Sequence, residues 1–160
     1  MCGIAGFLDA TRSADEAELK RLADAMSARI IHRGPDDDGT YAEPASGLAL
    51  AARRLAIQDL SAEGHQPMTS PDGRYVIVYN GEIYNFLELR RTLEVEGVGG
   101  WRGGSDTEVL LAAISHWGIE AALERFDGMF AFALWNRETR RLTLARDRMG
   151  EKPLYYGWSG

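Results

Sequence analysis

Cysteine occurs once in the 160 residues, as Cys2, which excludes internal disulfides and any cysteine-based zinc cluster. Histidine is almost as scarce. His32, His65 and His116 are scattered without ligand spacing, so no metal site is expected. Long apolar runs are missing too: nothing approaches the roughly 18 residues of a membrane helix, and Gly3–Leu8 is too short and lacks the basic flank of a secretory signal. Bases are outnumbered, 18 against 24 acids, and the net charge of −6 argues against sequence-independent binding to nucleic acid. What is present, 45% hydrophobic and 26% charged residues, describes one globular domain over 1–160 with a real core. A cytoplasmic, enzyme-like domain with no membrane and no nucleic-acid partner is the expectation.

The pattern predicts a short buried strand over 3–8, then a helix opened by Ser13 and Glu16 as a capping box. Leu19, Leu22, Met26 and Ile30 share its apolar face at helical spacing. Gly39–Ala42 and Leu48–Leu55 read as strands, Ser61–Gly73 as loop, and the β-branched and aromatic run Tyr75–Tyr79 as the clearest strand. Asn85 with Glu88 opens a second helix to about Glu94. Ser105 with Glu108 opens a third after the glycine-rich stretch Gly97–Gly104, and Ile119, Leu123 and Phe126 mark one short amphipathic piece more. Gly128–Trp135 and Arg141–Ala145 read as a hairpin, and Leu154–Tyr156 as a last strand. Phe130, Phe132, Tyr155 and Tyr156 are expected in the core. Paired strands with helices in two blocks make the fold class α+β, with antiparallel sheet rather than alternating βαβ units.

The candidate chemistry sits at strand and helix ends. If Met1 is removed, Cys2 carries a thiol and a free α-amine on one residue. A model α-amine titrates near ~8 and a free thiol near ~8.5, so the amine can serve as base for its own nucleophile. Arg54, Asn80-Gly81-Glu82 and Ser105-Asp106 suit a zwitterionic amino acid. A guanidinium takes an α-carboxylate in a two-point fork, a carboxylate takes an α-ammonium, and an Asn amide beside a Gly N–H makes a donor pair for an oxyanion. Each has a plainer reading: Arg54 as a solvated strand-end charge, Asn80-Gly81 as a hairpin turn, and Asp106 as a charge on a helix dipole. A phosphate cradle at Gly103-Gly104 is excluded, because no Lys follows and Asp106 and Glu108 do.

Six blocks occur in order: Met1-Cys2-Gly3-Ile4-Ala5-Gly6, His32-Arg33-Gly34-Pro35-Asp36, Arg54-Leu55-Ala56-Ile57, Asn80-Gly81-Glu82-Ile83-Tyr84-Asn85, Gly104-Ser105-Asp106-Thr107-Glu108 and Gly128-Met129-Phe130-Ala131-Phe132-Ala133. Together they resemble the glutaminase domain of class II glutamine amidotransferases, in particular that of asparagine synthetases, over essentially the whole chain. The resemblance implies the four-layer αββα sandwich of N-terminal nucleophile hydrolases. It implies hydrolysis of L-glutamine through a thioester on Cys2, with Asn80 and the Gly81 N–H as oxyanion hole. Arg54 matches the carboxylate partner, Glu82 and Asp106 surround the α-ammonium, and the backbone of Leu55–Ile57 lines the site. ATP and magnesium belong, on this resemblance, to a C-terminal or separate synthetase domain, whose Ser-Gly-Gly-x-Asp-Ser loop does not occur here; this domain needs no cofactor. Two alternatives stay open: ammonia supply to another acceptor, such as a glycan or peptide, and a non-catalytic glutamine-binding or interaction module if Met1 is retained.

Overall fold

Period-two alternation along the strands builds the molecule in layers. The structure, a computed structural model, describes residues 2–56 and 61–158. In the first sheet β3 (Leu48–Arg54) runs between β1 (Gly3–Leu8) and β2 (Asp37–Glu43), antiparallel to both. Its odd residues Ala49 and Ala51 pack against Leu19 and Ala23 of helix α1 (Glu16–Ala28), and its even residues face the second sheet.

That second sheet has the order β4 (Met68–Thr69), β5 (Tyr75–Ile83), β6 (Gly128–Asn136) and β7 (Arg141–Arg146), all antiparallel. Val76, Val78, Ala133 and Trp135 meet Leu48, Leu50 and Ala52 between the sheets. On the far face, Ile77, Tyr79, Phe130, Phe132 and Leu134 pack under α2 (Phe86–Val95), α3 (Asp106–Trp117) and α4 (Ile119–Arg125). The result is the expected α+β sandwich, helix, sheet, sheet, helices. No helix among the described residues is long and apolar enough to cross a membrane.

The stretch Ser61–Gly73 holds the short strand β4 rather than being loop throughout, and four further details differ from the sequence reading. Asp15, not Ser13, caps α1, accepting from Glu18 N at 2.9 Å, while Ser13 Oγ bonds the Thr11 hydroxyl. The buried face of α1 is Leu19, Ala23 and Ser27, and Leu22 and Met26 are 37% and 41% exposed, because the small Ala49–Ala51 surface admits a close, narrow contact. Asn85 does start α2, but its amide ties down the chain after α4, donating to Arg125 O and accepting from Asp127 N.

The fourth lies at the C-terminal end. Leu154–Tyr156 is no strand, and Tyr155 and Tyr156 are 92% and 81% exposed rather than core. After β7 the Asp147 N–H still donates to Phe130 O of β6, and beyond it side chains satisfy much of the backbone. Asp147 accepts from the N–H groups of Phe130, Glu151 and Lys152, and Arg146 donates to the carbonyls of Gly150 and Lys152. These bonds hold the carboxyl of Asp147 below its ordinary range although burial opposes them.

Candidate active site

The even-numbered residues Ile4 on β1, Leu50 and Ala52 on β3, and Val76 and Val78 on β5 all turn into the space between the sheets. The same parity, carried to the strand ends, delivers Cys2, Arg54, Asn80 and Glu82 to one mouth of that space. Gly3 pairs with Arg53, which sets Cys2 beside the end of β3, its Sγ 3.8 Å from Leu55 O. Leu55, Gly81 and Asp106 join them in the wall of a cleft of about 100 Å³. Every predicted site residue thus converges here except Ile57, which lies outside the described residues, as does Met1, on whose removal the Cys2 amine depends.

Asn80 and Gly81 do not form a turn. β5 runs straight through them, pairing Asn80 with Ala131, Gly81 with Phe130 and Glu82 with Met129. Asn80 is 4% exposed. Gly81 is required by close approach, since a β-carbon there would lie 2.5 Å from Met129 O and 2.6 Å from Phe130 Cβ.

Arg54 is not a solvated charge. Its Nη1 donates to Ser61 O at 3.0 Å, and Gly64 packs so closely on the guanidinium that any β-carbon would collide with it. Asp36, from the His-Arg-Gly-Pro-Asp block, pins the backbone on both sides: its N–H donates to Arg54 O at 3.1 Å and its carboxylate accepts from Ala56 N at 2.9 Å. That block therefore acts on the site through the main chain of residues 54–56. His65 and Asp37 join the same loop to β2, with Nδ1 and Oδ2 2.9 Å apart.

Asp106 is the first residue of α3, behind the cap Ser105, whose hydroxyl accepts from Glu108 N at 3.3 Å. Glu108 in turn accepts from the backbone of Arg102 and Gly103 and so sets the end of the glycine-rich stretch. Asp106 is 7% exposed, and burial raises its carboxyl above the ordinary range, with the charge of Glu82 adding to the rise. Opposing that, Asp106 Oδ2 accepts from the Tyr79 hydroxyl at 2.6 Å and from Ile83 N at 2.9 Å. The helix N-terminus favours the anion as well.

Among the wall residues that the sequence does not single out are Gly64, Gln66, Tyr79 and Lys152. Gln66 accepts from Tyr79 N through Oε1 at 2.7 Å, and Lys152 is 4% exposed. Gly64 and Gln66 come from a loop with no chemical signature, Tyr79 reads only as the end of a strand, and Lys152 arrives through the Arg146–Asp147 bonding described above. A local motif search has no signal for any of them.

Cationic, anionic and amide groups facing a lone thiol across one cleft fit an enzyme that handles an amino acid and its side-chain amide. A family model described as a glutamine amidotransferase domain matches residues 1–160. The chain belongs to this family. Asparagine synthetase [glutamine-hydrolyzing] 1 of Bacillus subtilis (strain 168) is 44% identical over 98% of the chain and 24% of that protein. Asparagine synthetase [glutamine-hydrolyzing] 3 of the same organism is 38% identical over 100% of the chain and 25% of that protein. The amidotransferase domain seen here therefore spans about a quarter of the length of these relatives. Among solved structures, the glutamine phosphoribosylpyrophosphate amidotransferase of B. subtilis has the same fold, with a TM-score of 0.62 at 20% identity over 84% of this chain and 34% of its own.

Proposed function

We propose that this amidotransferase domain hydrolyses the side-chain amide of L-glutamine to L-glutamate and ammonia. Arg54 takes the α-carboxylate, Glu82 and Asp106 take the α-ammonium, and the side chain extends toward Cys2. The Cys2 sulfur attacks the amide carbon as its proton passes to the residue's own α-amine. The carbonyl oxygen becomes an oxyanion facing the Asn80 amide and the Gly81 N–H. The C–N bond then breaks as the amine returns the proton to the leaving nitrogen, releasing ammonia and leaving a γ-glutamyl thioester. Water adds to that thioester, the C–S bond breaks, and glutamate and the thiol are regenerated. These steps use no metal and no cofactor.

In this reading the ammonia serves an ATP- and magnesium-dependent synthetase domain of the asparagine synthetase type, outside these residues, and the protein works in the cytoplasm. The observation that carries the reading is the convergence of Cys2, Arg54, Asn80, Glu82 and Asp106 on one cleft from four separate places in the chain. Its test is Cys2→Ala, with glutamate release and intact mass measured on the same preparations. Loss of the Met1 mass from the parent and a fall on the order of 10⁶ in turnover for the variant are expected. A variant within tenfold of the parent, or a parent that retains Met1 and still turns over, overturns the mechanism.

A further inference from the structure

Tyr79 belongs to the helix-facing side of β5 and is 2% exposed, yet it also lines the cleft that holds Cys2. Its neighbours in that core layer, Phe130 and Phe132, fill space with bare rings, and a Phe at 79 would fill the same volume. The hydroxyl is thus the part that packing does not require. It donates to Asp106 Oδ2 at 2.6 Å, and the Ile83 N–H donates to the same oxygen at 2.9 Å. Two donors on one oxygen fix the rotation of the carboxylate about its bond to the chain. The backbone beneath the hydroxyl is held in turn, since Tyr79 N donates to Gln66 Oε1 at 2.7 Å.

We propose that Tyr79 is a positioning residue for glutamine recognition, its hydroxyl holding the Asp106 carboxylate ionised and oriented to receive the substrate's α-ammonium. The inference rests on the reading of Asp106 given above. Burial works against the ionised carboxylate, as does the charge of Glu82. The other charged or titratable groups of the cleft are Cys2 ahead of β1, Arg54 at the end of β3, and Lys152 from the segment after β7. The Tyr79 phenol is itself raised well above its ordinary value, first by burial and then by the Asp106 charge, so it stays a donor throughout the working pH range. Hydrogen bonds to charged groups are the strong class, and removing one donor from a buried anion leaves the loss uncompensated.

The experiment compares Tyr79→Phe, Asp106→Asn and the double variant by steady-state glutamine hydrolysis from pH 5 to 9, with thermal midpoints on the same samples. For Tyr79→Phe the expected result is a KM raised about tenfold, kcat within about threefold, and an acid limb of kcat/KM moved to higher pH. The double variant should be no worse in KM than Asp106→Asn alone. If Asp106→Asn leaves KM unchanged, the ammonium role of Asp106 fails. If Asp106→Asn raises KM while Tyr79→Phe keeps the parent's KM and acid limb, only the Tyr79 inference is overturned, whatever happens to the midpoint.

Discussion

On one side of the cleft Tyr79, Asn80, Gly81 and Glu82 are consecutive residues of a nine-residue strand, paired with β6 along its whole length. On the other side Arg54 is the last residue of its strand, and its guanidinium is placed by a loop carbonyl, by the bare face of Gly64 and by Asp36 gripping the main chain on either side. The first wall inherits its geometry from the core between the layers. The second depends on contacts that involve almost no apolar burial. Substitutions should therefore separate: removing the Asn80 amide from the β5 wall strikes the chemical step, and changes around Arg54 strike substrate capture by displacing a group that stays chemically intact.

The sharpest contrast is Asn80→Ala. Charge grows on the substrate oxygen only as the tetrahedral intermediate forms, so kcat should fall by roughly 10²–10³, with a much smaller change in binding. Because Asn80 lies mid-strand rather than in a turn, the thermal midpoint should move little. A fall in midpoint with kcat intact would remove Asn80 from the oxyanion hole.

Gly64→Val tests the opposite wall without touching a charged group. The new side chain must push the guanidinium aside, and misplacement on the order of 1 Å can cost about 10² in catalytic efficiency. The loss is expected in kcat/KM, chiefly through KM, with little change in global stability; an unchanged KM would mean that Arg54 is placed by something other than this loop. The smallest effect is expected from Arg54→Lys, which keeps the charge and loses only the planar fork, raising KM about tenfold with kcat nearly constant. If that variant proved worse than Gly64→Val, the geometry of the loop would matter less than the fork itself.

How far the sequence could be read also divides along these walls. The Tyr75–Tyr79 run marked the strand, but the turn propensity of Asn-Gly hid its continuation through Ile83, because pairing with β6 overrides a local preference. The buried face of α1 is narrower than helical spacing predicts for a related reason. Helical spacing places Leu22 and Met26 near Leu19, and only the alanine surface of β3 decides how narrow the contact is. Capping chemistry at Ser105 was legible because the cap is a local bond; Asp106, one residue on, was legible as an acid but not as the acceptor of a tyrosine 27 residues away.

By itself, the sequence determined the α+β class with antiparallel sheet, through paired strands and two blocks of helix, while the four-layer order was implied by the resemblance. It also determined the chemical types at the site, which the ordered motifs carry residue by residue. Tertiary structure alone decided that Tyr79, Gly64, Gln66 and Lys152 share the cleft, and that the aromatic end at Tyr155 and Tyr156 stands in solvent. The physical reason is range. Alternation, capping and turn preference act over a few residues and leave a signature in the string. A hydroxyl meeting a distant carboxylate, or a glycine making room for a distant guanidinium, exists only once the sheets and helices have packed.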